Sequence, residues 1–532
     1  MTQIGSKAKE DFVVDIGHRM DRREFLRNSS LVAGGLAAGG LLQACVQSGP
    51  VGGGGAGDST LTYGNAEPPT SSNMDDAAVL GLVDFQIASL VQDRLIEFDK
   101  NMNLVPRLAT RWDYVNDNTL RLELRDDVKY HNGEKFTAED AKAQIDRVSQ
   151  DPDLAQNALW APVETKVDGS TWLSIRADPP FAPLLAVLAI TSVPPASFSE
   201  NPEKFENEDI GAGPYRFVDY EANQVTLEAN GNYWDGQPSI NRIVFEYIQD
   251  PNARLNALLA GDVDIISRCD SQQLNAVEGD DKFYVNETSP SAGIVMIYQH
   301  NNEIIANKKV RQAMMYAVDR EALVKQQLEG VGKPSQSIIP SPTFFYEPLD
   351  EAYPYDPDKA KALMEESGLS GKPRLSLLTS TLVPHQKEID QRFAEYLADI
   401  GIDVNISSLE VGKFRTEYPN YDLSLNTFGS PNTDPDFIFG VYAGPIGQAV
   451  FHLQDNPESK AFKPLHEKQR KLVDEAQRQE AVTAASEWLW DFQPTMEISD
   501  ELWPFIVNER VQNYERNRTF GEPLARNAKL SG

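Results

Sequence analysis

Leu120, Leu122 and Leu124 alternate with Arg121, Glu123 and Arg125, the period of two that a strand with one buried face requires. Val128 and Tyr130 then lead into Asn132-Gly133, residues that tolerate the positive φ of a tight hairpin turn. Thr137 and Asp140 stand at capping-box spacing before a segment bearing Ile145 and Val148, which predicts a helix opening at Thr137. Asp168-Gly169 marks a second hairpin ahead of Leu173 and Ile175. Residues 225–229 and 243–248 read as strands, and Asp250-Pro251 introduces an Ala- and Leu-rich helix that stops near Gly261. Asp356 as N-cap, with Pro357 at the first helical position, opens another helix that ends at Gly368. Short strands alternating with capped helices, with no solenoid or propeller period, predict an α/β chain.

The N-terminal region has a different texture. Asp21-Arg22-Arg23-Glu24-Phe25-Leu26-Arg27 sets a twin arginine and an apolar pair before a weakly hydrophobic run over 31–44. Gly34, Gly35, Gly39 and Gly40 interrupt that run, which is too short to span a bilayer as a stable helix. Residues 1–44 are therefore expected to form a Tat-type signal built on Arg22 and Arg23. Leu42-Gln43-Ala44-Cys45 is lipobox-like, although Gln43 is not the usual small residue there. Lipid on Cys45 would hold the chain at a membrane surface, with residues 45–58 as a Gly/Ser-rich tether. The expected location is the periplasm or the outer face of the cytoplasmic membrane. Cys269 is then the one cysteine of the mature body, which excludes an intramolecular disulfide and a cysteine-rich metal site. It is expected to pack as a small buried residue.

At 532 residues, 41% of them hydrophobic, the chain exceeds what one core usually organises, and two or more lobes are expected. Its 49 Lys and Arg against 80 Asp and Glu leave a formal charge of -31, which repels any polyphosphate backbone and excludes nucleic acid as a partner.

Five segments in order carry a more specific signal. The first is Leu104-Val105-Pro106-Arg107-Leu108-Ala109 with Trp112, followed by Tyr130-His131-Asn132-Gly133 and Thr137-Ala138-Glu139-Asp140. The second is Gly211-Ala212-Gly213-Pro214-Tyr215, with Asn230, Tyr233-Trp234 and Gly236. The third runs from Leu255 through Ala260-Gly261-Asp262-Val263-Asp264-Ile265. The fourth is Lys309-Val310-Arg311-Gln312-Ala313 with Ala317-Val318-Asp319-Arg320, closing at Ile339-Pro340. The fifth runs from Tyr355-Asp356-Pro357 through Ala360 to Gly368, then Gly401-Ile402 and Asp434-Pro435-Asp436.

Together these resemble the family 5 extracellular solute-binding proteins, the peptide, nickel and opine binders of ABC importers. The resemblance implies a two-lobed periplasmic-binding-protein fold, the class II Venus flytrap, with an extra subdomain inserted in the first lobe. By analogy 59–90, 210–290 and 490–525 form lobe I, 91–209 the insertion and 291–489 lobe II. Most motif residues have structural work to do: Gly211 and Gly213 suit a chain reversal, and Arg311 and Asp319 suit capping or bracing of helices. The implied partners are a small-molecule ligand and the permease of an ABC importer, with no cofactor or resident metal, and a monomer is expected.

A clamp buries its ligand between lobes, so loops facing the cleft supply the candidate contacts. Gly81-Leu82-Val83-Asp84-Phe85 aligns with a first-lobe loop that in the family hydrogen-bonds an extended peptide; Gly81 permits close approach, and Phe85 either stacks or fills core. Trp160 of the insertion is a second candidate, its alternative being internal packing. The third stretch, from Thr427 to Asp436, offers Phe428, Gly429, Ser430, Asn432, Thr433 and Asp434. In related dipeptide binders an aspartate two or three residues before Asp-Pro-Asp neutralises the peptide amine; Ser430, Pro431 and Asn432 stand there in this chain. Where the family has an arginine for the peptide carboxylate, the chain reads Leu382-Val383-Pro384-His385-Gln386-Lys387. His385 or Lys387 would replace it without a bidentate fork. Since an unpaired buried terminus is costly, a longer peptide held through its backbone, or a polar metabolite, is expected in place of a free dipeptide.

A hydrolase is the rival class, but Gly-x-Ser-x-Gly, His-Glu-x-x-His and Cys-x-x-Cys are missing and the histidines are scattered, so no enzyme is expected. A nickel or haem carrier lies closer, with His385 as its contact. A ligand sensor of the same fold would share the sequence features.

Overall fold

A computed structural model of the chain describes residues 59–531, apart from 69–74, 79–81, 203–209, 222, 329–330, 350–352, 381–382, 384, 445–446, 448–449 and 520–524. Arg22, Arg23, Cys45, the tether and Gly81 lie outside the described residues. Among those described, strands from distant parts of the chain build two mixed sheets. In the first, Thr60–Asn65 is flanked in parallel by Arg242–Tyr247 and Ile265–Ile266. Gln224–Ala229 and Tyr215–Glu221 extend it on one side, Trp503–Asn508 and Phe283–Thr288 on the other, all by antiparallel pairing. In the second, Ala292–Tyr298 lies between Thr495–Asp500 and Leu423–Gly429, and Arg374–Thr379 and Asp403–Ser408 continue in parallel. Ala292–Tyr298 is buried along its whole length because packing covers both faces of this central strand.

Two chain segments run through both sheets as one antiparallel ribbon. Thr288 faces Trp503 in the first sheet, and Gly293 faces Asp500 in the second. The lobe boundary expected at residue 490 falls instead at Glu501-Leu502, because Thr495–Asp500 pairs in the second sheet and buries Met496 and Ile498 in that lobe's core.

The insertion carries a four-stranded antiparallel sheet in which Thr119–Leu124 shows the alternation read from its leucines. Leu120, Leu122 and Leu124 share a core with Ala141, Ile145 and Val148 of the helix Ala138–Gln150. Asp140 Oδ2 accepts the Thr137 N–H at 2.8 Å and the Thr137 hydroxyl at 2.9 Å, so this helix starts where the spacing predicted. Gly211 meets a need other than a chain reversal: a Cβ there would lie 1.7 Å from the Val91 carbonyl oxygen, so only glycine lets this segment lie against the end of Leu82–Val91. Buried Arg107 fastens the region through ion pairs to Asp93 at 3.3 Å, Glu97 at 3.5 Å and Asp235 at 2.9 Å.

Arg311 and Asp319 have the bracing roles expected of them. The buried Arg311 guanidinium donates to the carbonyls of Ile305, Ala306, Phe492 and Gln493, closing two helix C-termini. Asp319 caps Arg320–Gln327 by accepting the Ala322 N–H at 2.9 Å.

Candidate functional site

Ligands of open α/β sheets sit beyond the carboxyl ends of parallel strands. In the first sheet those ends are Asn65 and the segment after Ile265–Ile266, which reaches Arg268. In the second they are Thr379, followed by the segment to His385, and Gly429, followed by the loop from Ser430 to Asp434. A crevice of about 40 Å³ joins the two sets: Arg268, Asp270, Ile294, His385, Glu501 and Trp503 all line it. Its walls thus come from both lobes and from the crossing ribbon.

Glu501 links these parts. Its carboxylate accepts the hydroxyl of Thr427 at 3.0 Å and the indole N–H of Trp503 at 2.9 Å. Arg268 Nη2 lies 3.5 Å from the same carboxylate, while its Nη1 pairs with Glu67 at 3.1 Å. The Arg268 guanidinium also stands 5.2 Å from the Trp503 ring centroid. Arg268 (φ 51°) and His385 (φ 54°) both hold the left-handed region, which is uncommon outside glycine and recurs at functional sites. Neighbouring Cys269 is inert, since burial pushes its thiol up to about 12.

The loop after Leu423–Gly429 is fixed by its own polar groups. Ser430 Oγ lies 2.7 Å from both Asn432 Oδ1 and the Asp434 carbonyl. Asp434 accepts both arms of Arg478, at 2.8 and 2.7 Å, and caps Pro435–Ala443 through the Asp436 N–H. This commits the Asp434 carboxylate to Arg478. Asp436 next to it meets His466 at 2.9 Å, Gln469 at 2.7 Å and Arg470 at 3.1 Å. Burial works against its charge, yet Arg470 and His466 hold Asp436 down at about 2. A Cβ on Gly429 would lie 2.1 Å from the Ser291 carbonyl oxygen, so this glycine permits the crossing ribbon to pass. Phe428 is half-buried against Tyr442 and Phe437. Thr433 is fully buried at φ 64°, and its hydroxyl has no hydrogen-bond partner.

Other candidates are placed differently. Residues Leu82–Val91 form a helix where a loop was expected. Val83 and Phe85 are buried in two hydrophobic cores, and the Leu82 side chain lies outside the described residues. Trp160 is 5% exposed and packs in the insertion core, but it also lies on the seam with the second lobe. Its carbonyl accepts Arg470 Nη2 at 2.9 Å, while its indole N–H has no partner. The Ala182 N–H donates to the Arg470 carbonyl at 2.8 Å, and the Arg470 guanidinium sits 4.9 Å from the Phe181 ring centroid.

Asn65, Arg268, Glu501 and Trp503 escaped the sequence reading. Glu501 had little signal, as one of three acidic residues, with Glu497 and Asp500, in the stretch before Trp503. Asn65 had none: it is 2% exposed, both side-chain polar atoms lack a partner, and it ends the central strand of the first sheet. Such an amide is costly to bury unless something else satisfies it.

Two lobes joined by a crossing ribbon, with convergent strand ends around a crevice, define a hinged binding protein that closes on a small molecule. The model of the middle part of the bacterial extracellular solute-binding proteins, family 5, matches residues 103–449, and the chain belongs to that family. Among relatives, it is 27% identical over 446 residues to the heme-binding protein A of Haemophilus influenzae, covering 76% of this chain and 81% of the relative. It is 26% identical over 459 residues to the glutathione-binding protein GsiB of Pectobacterium atrosepticum, covering 82% and 86%. Among solved structures, the dipeptide binding protein of Pseudoalteromonas sp. SM9913 in complex with Met-Leu superposes with a TM-score of 0.78 at 21% identity, covering 89% of this chain and 100% of that one. NikZ of Campylobacter jejuni in complex with Ni(L-His) gives 0.77 at 23%, covering 88% and 97%.

Proposed function

We propose that this chain captures a peptide-like or other polar small molecule between its lobes and hands it, chemically unchanged, to the permease of an ABC importer. The observation that carries this reading is the crevice whose walls come from both lobes and the ribbon, with Glu501 bonded to Arg268, Thr427 and Trp503 at once. A ligand there touches every part that must move when the clamp shuts. A longer peptide or a polar metabolite fits better than a free dipeptide. Pro431 stands in the amine-binding region, and Asp434 is committed to Arg478. Export on Arg22 and Arg23 and lipid on Cys45 belong to the same proposal, with the clamp acting as a tethered monomer.

Native mass spectrometry of the protein purified from its own host is the direct test. An intact small molecule should co-purify, and its re-addition to stripped protein should shrink the scattering radius. A released product, or an unchanged radius across a broad solute library, would count against capture. A nickel or haem carrier is the second reading, favoured by what relatives are named for, with His385 as the available contact. Tight binding of Ni(II) with free histidine, lost in His385→Ala, would select it.

A further inference from the structure

The polar lining of the crevice sets one guanidinium, already paired, and the His385 ring among an excess of carboxylates. Arg268 is shared between Glu67 and Glu501, so no arm of it is held in reserve for a ligand carboxylate. Glu501 and Asp270 face the same space, and the Asp270 carboxylate accepts the Gln273 N–H as a helix cap. One guanidinium therefore stands among three carboxylates. His385 and Ser271 add polar groups to the lining, and Ile294, Leu328, Val331, Leu502 and the Trp503 ring supply its apolar walls. About 40 Å³ holds two or three waters or one short aliphatic group. We infer that the clamp selects ligands that are cationic or uncharged at this end, insert a small apolar group beside Trp503, and rejects ligands carrying an anionic group there. The physical cause is Coulombic: a carboxylate would approach Glu501 and Asp270 with Arg268 already paired and only the His385 ring left to meet it, whereas an ammonium or amide meets oxygens already facing the space.

This inference rests on the capture of a peptide-like molecule proposed above, and the test separates the two. The full chain is incubated with an equimolar pool of synthetic tetra- to hexapeptides randomised in Leu, Ser, Lys and Glu, and bound species are identified by native mass spectrometry. Captured peptides should be enriched in Leu and Lys and depleted in Glu by about tenfold relative to the pool. A captured set that keeps the pool's Glu content, or is enriched in Glu, overturns the charge inference and leaves capture standing. No capture at all overturns the peptide reading and this inference with it. Glu67→Gln, at a partly exposed position, frees one arm of Arg268 and should relax the rejection of Glu to about threefold or less. Unchanged rejection in a Glu67→Gln protein that melts like the parent also overturns the inference.

Discussion

At the residue scale, buried polar groups fall into those the protein satisfies and those it leaves for something else, and the two kinds predict opposite mutational behaviour. Arg311 belongs to the first, with its donors filled by helix-terminal carbonyls. Arg311→Met should cost about 3–5 kcal/mol in chemical denaturation, because it leaves those carbonyls buried and unpaired. Asn65 belongs to the second. Asn65→Leu should leave the melting temperature equal or higher while ligand affinity falls by about tenfold in calorimetry, a split that a purely structural asparagine would not give. Burial also pushes Glu497 up to about 7 despite the Thr495 hydroxyl and nearby Arg320, and pushes Asp390, beside Thr379 and Gln386, to about 7 as well. Folded values above the unfolded one mean that the native state keeps protons the unfolded chain has lost between about pH 4.5 and 7. Stability contributed by these two groups is therefore present at the acidic end and falls as pH rises, by about 2–3 kcal/mol per group. Denaturation midpoints measured from pH 5 to 8 should decline, and Glu497→Gln should flatten the decline; an identical slope in the variant would remove Glu497 as its cause.

At the scale of elements, the helix Lys463–Lys471 bears on both lobes through Arg470, which reaches Asp436 within its own lobe and the Trp160 carbonyl across the seam. Arg470→Ala should enlarge the unliganded radius of gyration and weaken ligand binding about tenfold, while the backbone contact from Ala182 persists. Scattering profiles of parent and variant that superimpose would show that the seam does not hold the lobes together. Element boundaries were legible where local chemistry decides them. Pro251–Ala260 runs from its Asp250 cap to Gly261 at φ 80°, and Pro357–Glu366 starts at Asp356, as their residue types indicate. Leu82–Val91 was misread because a helix buried around most of its surface shows no polar stripe: Val83, Phe85, Ile87, Ala88, Leu90 and Val91 are all buried.

At the scale of the whole molecule, a two-stranded ribbon is the mechanical link between sheets, and closure must bend it near Ser291 and Glu501. Glu501→Ala should uncouple closure from binding, so that added ligand shrinks the scattering radius less than in the parent at equal occupancy. Composition, turn residues, caps and the ordered motifs by themselves determined the α/β class and the family, because those properties are written in neighbouring residues. Only the tertiary structure decided which polar groups meet at the cleft. Arg268, His385 and Glu501 are separated by long stretches of chain, and a carboxylate such as Asp434 looks the same in sequence whether it is open to a ligand or locked to Arg478. Partner and solvent access are set by packing between distant segments, and no local pattern records them.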